Sequence, residues 1–515
     1  MKKGENAQGS QTDQNDQKEV SAHKESSQMQ FLSQELKKYY SQHNLNGVED
    51  YILKPEKGQS STSTPRFIRL NPRHDMTETL ELLRNELVEQ NIKQKPILVP
   101  WLDARLAFYS LPGHFSLSSS DSYKTGRIYG MDVSSGAAVA ALLLDTYDAS
   151  PSKSKVKGCM PSESENFRVL DLCCAPGLKT CAIVDLICCL EKEKESRNLS
   201  IKSKNVYVAG VDISEPRMSL CKNVIRKYFI HQHTPYNISS LETKEELQSD
   251  EKRTHIQLFC NDGTRFGTTP YIAAKDNSER DTESELNLVF DSQIAFQEEN
   301  HARHRANNNK GVKRKRMNKS ARARERRKLQ KIVQEGSKSN FSDTYSITGE
   351  ENDLFLERFD RVLVDAECST DGALRHLKVK YNDNLLKTEN KQRGCDIGNS
   401  KLTNENQVLE LLQLQRKLIE SGFRLLKPGG VMIYSTCSLS HKQNEDIVND
   451  LLRQNKGNSY LIPLDFVEAK NNMFVKTAMI PGTIRFLPNI TRKLEEDKNN
   501  QFYGGGFFLA KIAKK

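Results

Sequence analysis

Six short apolar runs recur between Arg168 and Ala510, most of them ending in a polar or glycine-bearing turn: Arg168–Leu172, Val206–Ile213, Ile256–Cys260, Arg361–Val364, Val431–Tyr434 and Phe507–Ala510. Leu178–Leu190 and Asn404–Leu426 have the apolar spacing of helices, and the second stops at Lys427-Pro428-Gly429-Gly430 just before the next strand. Near-continuous apolar strands alternating with helices predict a doubly wound α/β sheet, whose strands are covered on both faces. This is the strongest constraint the chain carries.

The flanking segments read differently. Residues 1–28 are Gln-, Ser-, Asn-, Lys- and Glu-rich and are expected to be a disordered tail, neither a signal nor a transit peptide. Residues 29–125 form a smaller α/β unit. In it Pro65–Asn71 alternates like a strand, Met76–Gln90 has helical spacing, and Pro96–Pro100 is a second strand. Its Trp101 could stack on a base, but core packing is the reading that aromatic residues generally favour. The remaining span, 126–515, is the doubly wound domain, interrupted at 270–352 by a polar, largely disordered insertion. That insertion holds the basic excess of a chain whose net charge is +10: Ala302–Lys331 carries fourteen Lys or Arg against Glu325. Such a run contacts polyanions or serves as a nuclear address, unless it is only a solvated charge run. No apolar stretch is long enough to span a membrane. Eleven cysteines without a C-x-x-C pair argue against a disulfide framework or a zinc ribbon, and point to a reducing compartment and no metal.

In an open parallel sheet a ligand lies at the carboxyl ends of the strands. Asp171-Leu172-Cys173-Cys174-Ala175-Pro176-Gly177-Leu178-Lys179-Thr180 places a tight turn and a helix start at one such end, where small residues let a ligand approach the backbone. Asp212 ends the next strand and suits two ribose hydroxyls. Asn261-Asp262-Gly263 ends the third, where a polar side chain could read an adenine edge. Neither G-x-G-x-x-G nor a P-loop occurs, which disfavours a pyrophosphate and favours an adenosine ligand such as S-adenosylmethionine. The candidate cofactor residues are Cys174, Ala175, Pro176, Gly177, Leu178, Lys179, Asp212, Arg217, Asp262 and Asp365. Two further strands end in thiols within polar turns, at Asp365-Ala366-Glu367-Cys368 and at Ser435-Thr436-Cys437-Ser438. A packing role gains little there, whereas buried cysteine on an apolar helix, as at Cys188 and Cys189, is ordinary core.

With these motifs the chain resembles the Sun-type (Nop/Sun) RNA cytosine-5 methyltransferases. The resemblance rests on Gly130-Met131-Asp132-Val133-Ser134-Ser135, Leu170–Thr180, Asp365–Ser369, Tyr434–Leu439 with Asn444-Glu445, and the closing Gly506–Ala510. It implies a methyltransferase-type Rossmann sheet, an N-terminal subdomain like an RNA-recognition motif, and S-adenosylmethionine as methyl donor to carbon 5 of cytosine in rRNA or tRNA. It also implies roles: Cys437 as the nucleophile that forms a covalent RNA intermediate, Cys368 in its release, Asp365 at ring nitrogen 3, and Lys179 orienting Asp365 or the base. Glu367 stands where the family has Pro, and Leu178 where it has a second loop glycine. A monomer in the nucleus or nucleolus, or otherwise the cytoplasm, is the expected setting. The rival reading is a catalytically idle RNA-binding ribosome-assembly factor. DNA methylation ranks below both, because DNA enzymes use a Pro-Cys nucleophile on the fourth strand followed by Glu-Asn-Val, whereas this chain has a thiol on the fifth strand instead and no such tripeptide.

Overall fold

The computed structural model describes residues 34, 37–38, 40–41, 65–144, 166–196, 205–231, 254–267, 287–299, 359–373, 377, 404–464, 475–487 and 505–515. The expected N-terminal tail and the basic run lie outside the described residues.

Two sheets organise the chain. The smaller contains β1 (Arg66–Leu70), β2 (Ile97–Leu98), β3 (Phe108–Leu111) and β4 (Ile128–Gly130) in the order β2-β3-β1-β4. Helix α1 (Met76–Glu89), capped by the Asp75 side chain on the Glu78 amide, follows β1. The second helix, α2 (Asp121–Lys124), precedes β4. The small unit therefore runs on to Gly130, past the boundary expected at 125, because β4 pairs antiparallel with β1 at Ile68↔Gly130.

Side chains alternate cleanly across this sheet. Ile68, Leu70, Leu111 and Ile128 pack with Leu83 and Leu87 of α1. Phe67, Phe108 and Tyr129 point the other way and merge with the core of the larger domain, as does Trp101, whose ring centroid lies 5.6 Å from that of Phe486. Trp101 is thus a core residue. An RNA-recognition motif stacks bases on its sheet face, but here both faces of β1, β3 and β4 are largely covered, while the edge strand β2 is exposed at Ile97 and Leu98.

The larger sheet comprises β5 (Asn166–Asp171), β6 (Asn205–Asp212), β7 (Thr254–Cys260), β8 (Leu288–Asp291), β9 (Phe359–Asp365), β10 (Leu426–Thr436), β11 (Ser459–Leu461), β12 (Val475–Thr477), β13 (Ile484–Phe486) and β14 (Phe507–Lys514). Its order is β12-β13-β14-β10-β9-β5-β6-β7-β8, with β11 paired to β14. Strands β7, β6, β5, β9 and β10 are mutually parallel, and β14 runs antiparallel to β10. The doubly wound sheet is as expected, with one correction. The expected insertion at 270–352 begins too early, since β8 pairs antiparallel with β7 and leads into a helix at 292–299. Its four residues, Leu-Val-Phe-Asp, are too few to stand out by pattern in a polar stretch.

Helices cover both faces. On one side lie α3 (Val133–Leu143), α4 (Leu178–Ser196) and α5 (Glu215–Ile225), against Val169, Val208, Leu363, Ile433 and Leu509. On the other lie α6 (Glu405–Leu425) and α7 (Glu445–Gln454), against Leu170, Ala209, Val364, Tyr434 and Phe508.

One buried cluster ties the two sheets together. Asp185 of α4 accepts from Arg69 Nη2 at 2.6 Å and from Tyr129 Oη at 3.0 Å, and also pairs with Arg73. Burial would raise the Asp185 carboxyl, but Arg73 and Arg69 outweigh it and hold it below the usual carboxylate range. Removing this charge strands two buried guanidinium groups. Asp185→Asn is therefore expected to cost about 3–5 kcal/mol in chemical denaturation at pH 7. A lowered carboxyl stabilises above its unfolded value and loses that contribution as pH falls through its folded one, so the gap between wild type and variant should close below about pH 4.

Candidate active site

The chain builds β5, β6, β7 and β8 outward in one direction and then crosses to the other side of β5 to lay down β9 and β10. The switch point therefore falls between β5 and β9, and the crevice beyond their carboxyl ends is where such sheets bind ligands. Most of the residues singled out in the sequence gather there, whereas Asp262 lies two strands from β5, beyond the end of β7.

The loop after β5 is tightly folded. Cys174 N donates to Val211 O at 2.9 Å and Gly177 N to Cys174 O at 2.7 Å; the Ala175–Pro176 peptide is cis. Gly177 has φ +98°, and a Cβ there would sit 2.7 Å from Cys221 Sγ, so both conformation and space require glycine. Leu178, in place of a second glycine, is the first residue of α4 and packs against the core. Asp212 is buried at the end of β6. Its Oδ1 accepts from Ser214 N at 2.9 Å and its Oδ2 lies 3.3 Å from Arg217 Nη1. Arg217 Nη2 in turn donates to Ala175 O at 2.8 Å, which joins the loops after β5 and β6. Asp262, after β7, is exposed, and its Oδ1 accepts from Thr264 N and Oγ1 at 2.9 and 2.8 Å.

The thiols meet on the other side of the switch point. Asp365 ends β9 and pairs in register with Ser435 of β10. Cys368 and Cys437 leave the ends of these two strands, with their Sγ atoms 2.9 Å apart. Cys368 is buried and Cys437 is partly open. Lys179, on the first turn of α4, donates to Asp365 Oδ2 at 2.6 Å, while Ser435 Oγ donates to Oδ1 at 2.7 Å. Burial would lower the Lys179 ammonium, but Asp365 overcomes it and holds it above its ordinary value. The Cys437 thiol is pushed well up, first by its hydrogen bond with Cys368 and then by burial. Glu367 is exposed, and its carbonyl accepts from Gln415 Nε2 at 2.7 Å, so the backbone before Cys368 is held without proline.

Two residues were missed by sequence reasoning. Ser435 touches Asp365 only through cross-strand register, which no local motif reports. Asp171 was visible inside the loop motif. It is fully buried, takes a 2.7 Å bond from Thr180 Oγ1 on one oxygen, and has no hydrogen-bond partner for Oδ1 among the described residues. Burial pushes its carboxyl up to about 7, against the pull of Thr180. Among the described residues no cluster of three or more His, Cys, Asp or Glu side chains is arranged to hold a metal, and no helix is long and apolar enough to cross a membrane.

The thiol pair has a measurable signature. Cys368→Ala removes the largest cause of the raised Cys437 thiol, so more thiolate should form at a given pH. Iodoacetamide alkylation of Cys437, followed by peptide mass spectrometry at pH 8, is expected to be several-fold faster in Cys368→Ala than in wild type. The alkylation midpoint should move to lower pH.

Comparison with known proteins finds likeness to ribosomal RNA methyltransferases over part of the chain. Residues 299–512, which include Asp365, Cys368 and Cys437, match the family model described as 16S rRNA methyltransferase RsmB/F. The chain is 34% identical over 159 residues to the ribosomal RNA small subunit methyltransferase F of Aliivibrio fischeri (strain MJ11), covering 31% of this chain and 26% of that protein. It is 39% identical over 95 residues to the same-named protein of Vibrio vulnificus (strain YJ016), covering 18% and 16%. The match thus spans about a quarter or less of these relatives. A solved structure, NSun6 from Pyrococcus horikoshii with SFG, is similar at TM-score 0.45 and 13% identity, over 94% of this chain and 97% of that one.

Proposed function

We propose that this chain, an RsmB/F-type methyltransferase over residues 299–512, transfers a methyl group from S-adenosylmethionine to carbon 5 of a cytosine in small-subunit ribosomal RNA. One observation carries the reading: two thiols 2.9 Å apart at the ends of adjacent parallel strands, beside the Lys179–Asp365 pair. Cytosine carbon 5 is too weak a nucleophile to take a methyl group unaided. Addition of a thiolate at carbon 6 turns the ring into an enamine that is nucleophilic at carbon 5.

The cofactor fits the crevice at β5 and β6. Asp212 presents an acid at a strand end, the Gly177 turn leaves backbone accessible, and Asp171 keeps a buried carboxyl oxygen without a partner among the described residues. When bound, S-adenosylmethionine supplies an electrophilic methyl group. Cys437, the more open thiol, adds to carbon 6 of the base. The Cys437 thiol gives up its proton as its sulfur adds, and Asp365, held by Lys179 and Ser435, delivers a proton to ring nitrogen 3, where negative charge would otherwise build. Cys368 then assists removal of the carbon 5 proton. As that proton leaves, the carbon 6–sulfur bond breaks and its electron pair returns to the Cys437 sulfur. The base must leave its stack to reach the thiols, at a cost of a few kcal/mol.

With both faces of β1, β3 and β4 largely covered, RNA contacts would fall to the exposed edge strand β2, to the loops and to the basic run 302–331, which would act through counterion release. The same run would serve as a nuclear or nucleolar address.

The two thiols separate in a test. Cys437→Ala is expected to abolish methyl transfer and to form no adduct. Cys368→Ala is expected to add to the base but release it slowly, giving a shifted band on denaturing gels with labelled small-subunit rRNA and cofactor. A shifted band from Cys437→Ala would exchange the roles. No transfer by wild type on ribosomal or transfer RNA would favour an RNA-binding assembly factor instead.

A further inference from the structure

A completely buried carboxylate lies three residues beyond Cys368, outside the group assigned above. Asp371 has no exposed surface, and a carboxylate so placed must be held by donors to remain. Its oxygens reach both thiol loops. Oδ1 accepts from Ser369 Oγ, on the residue after Cys368, and Oδ2 accepts from Leu439 N at 2.7 Å, two residues after Cys437. The next backbone group repeats the link, since Gly372 N donates to Cys437 O at 2.9 Å. A Cβ at Gly372 would fall 2.7 Å from that oxygen and 2.6 Å from Gly506 O, so the two loops and the approach to β14 meet without spare room. Ser369 Oγ also lies 3.1 Å from Ser438 Oγ and receives Gln443 Nε2 at 2.9 Å. From far upstream in the chain, the buried Tyr40 hydroxyl donates to the Asp371 carbonyl at 2.8 Å.

We propose that Asp371 is a positioning residue that fixes the two thiols relative to one another by clamping the loop after β10 onto the loop after β9, with Tyr40 bracing its backbone. The proposal rests on the reading that both thiols act on one base. Two groups that must reach adjacent ring atoms tolerate little displacement, and a misplacement of about 1 Å can cost about a hundredfold in rate. The clamp touches neither the Lys179–Asp365 pair nor Asp212. Loosening it should therefore move the thiols and spare cofactor binding.

The experiment uses the full chain carrying Asp371→Asn, which keeps the shape and removes the charge, and separately Tyr40→Phe, which removes only the brace. Two readouts are taken beside thermal unfolding. The first is methyl transfer to small-subunit rRNA. For Asp371→Asn kcat is expected to fall by about tenfold to a hundredfold, with KM for RNA and calorimetric affinity for S-adenosylmethionine within about twofold. The second needs no RNA. Diamide oxidises two thiols to a disulfide, its azo nitrogens taking up both electrons and both protons, so the rate at which Cys368 and Cys437 become linked reports their alignment. Mass spectrometry of the linked peptide is expected to show closure about tenfold slower in Asp371→Asn, and slower by a smaller factor in Tyr40→Phe.

A folded Asp371→Asn with wild-type kcat and closure rate overturns the proposal. So does a fall in kcat matched by an equal fall in cofactor affinity, which would mark general loosening. If Asp371→Asn does not fold, Tyr40→Phe decides: slower closure supports the clamp and unchanged closure overturns it. If wild type transfers no methyl group, the functional reading fails, while the closure rates still decide whether Asp371 aligns the thiols.

Discussion

The parallel pairing of β9 with β5 is the constraint on which the site depends. Registered at Val169↔Arg361, Leu170↔Val362 and Asp171↔Leu363, it brings the chain back to the centre of the sheet after β6, β7 and β8 have been laid outward. It sets the end of β9 beside the start of α4. Only then can Lys179 reach Asp365 at 2.6 Å across a separation of 186 residues. The pairing of β10 with β9 adds Ser435 and Cys437 to the same rim. Half of the crevice is thus shaped for a cofactor and half carries reactive side chains, with Lys179 standing at the join.

The sequence made the sheet legible because its central strands are buried on both faces. Runs such as Val208-Ala209-Gly210-Val211 and Val362-Leu363-Val364 leave little besides strand to choose. The loop from Asp171 to Thr180, the acid at Asp212 and the two thiols stood out because polar or reactive residues sit where such strands end. Less legible were features set by pairing with a distant partner. β8 is four residues long and earns its place only by lying against β7; β4 belongs to the small sheet only through β1. Ser435 and Asp371 are chemically ordinary in the sequence and matter through cross-strand register and loop-to-loop bonds.

The small sheet shows how a familiar topology can be put to a different use. Its order, β2-β3-β1-β4, suggests a surface for stacking bases, yet Phe67, Phe108 and Tyr129 are buried in the main core and Arg69 is locked onto Asp185. Gly136 of α3 permits this contact, since a Cβ there would overlap the Phe108 ring at 2.5 Å. The small domain is therefore a fixed wall of the larger one.

The central claim, that Cys437 bonds covalently to the base, is tested most directly with small-subunit rRNA carrying 5-fluorocytosine. Fluorine replaces the proton that must leave in the last step, so an adduct once formed cannot resolve. After incubation of the full chain with this RNA and S-adenosylmethionine, tandem mass spectrometry is expected to find one RNA-linked peptide, joined through Cys437 and carrying a methylated base. A link through Cys368, or no link from a preparation that methylates ordinary cytosine in the same RNA, would contradict the claim.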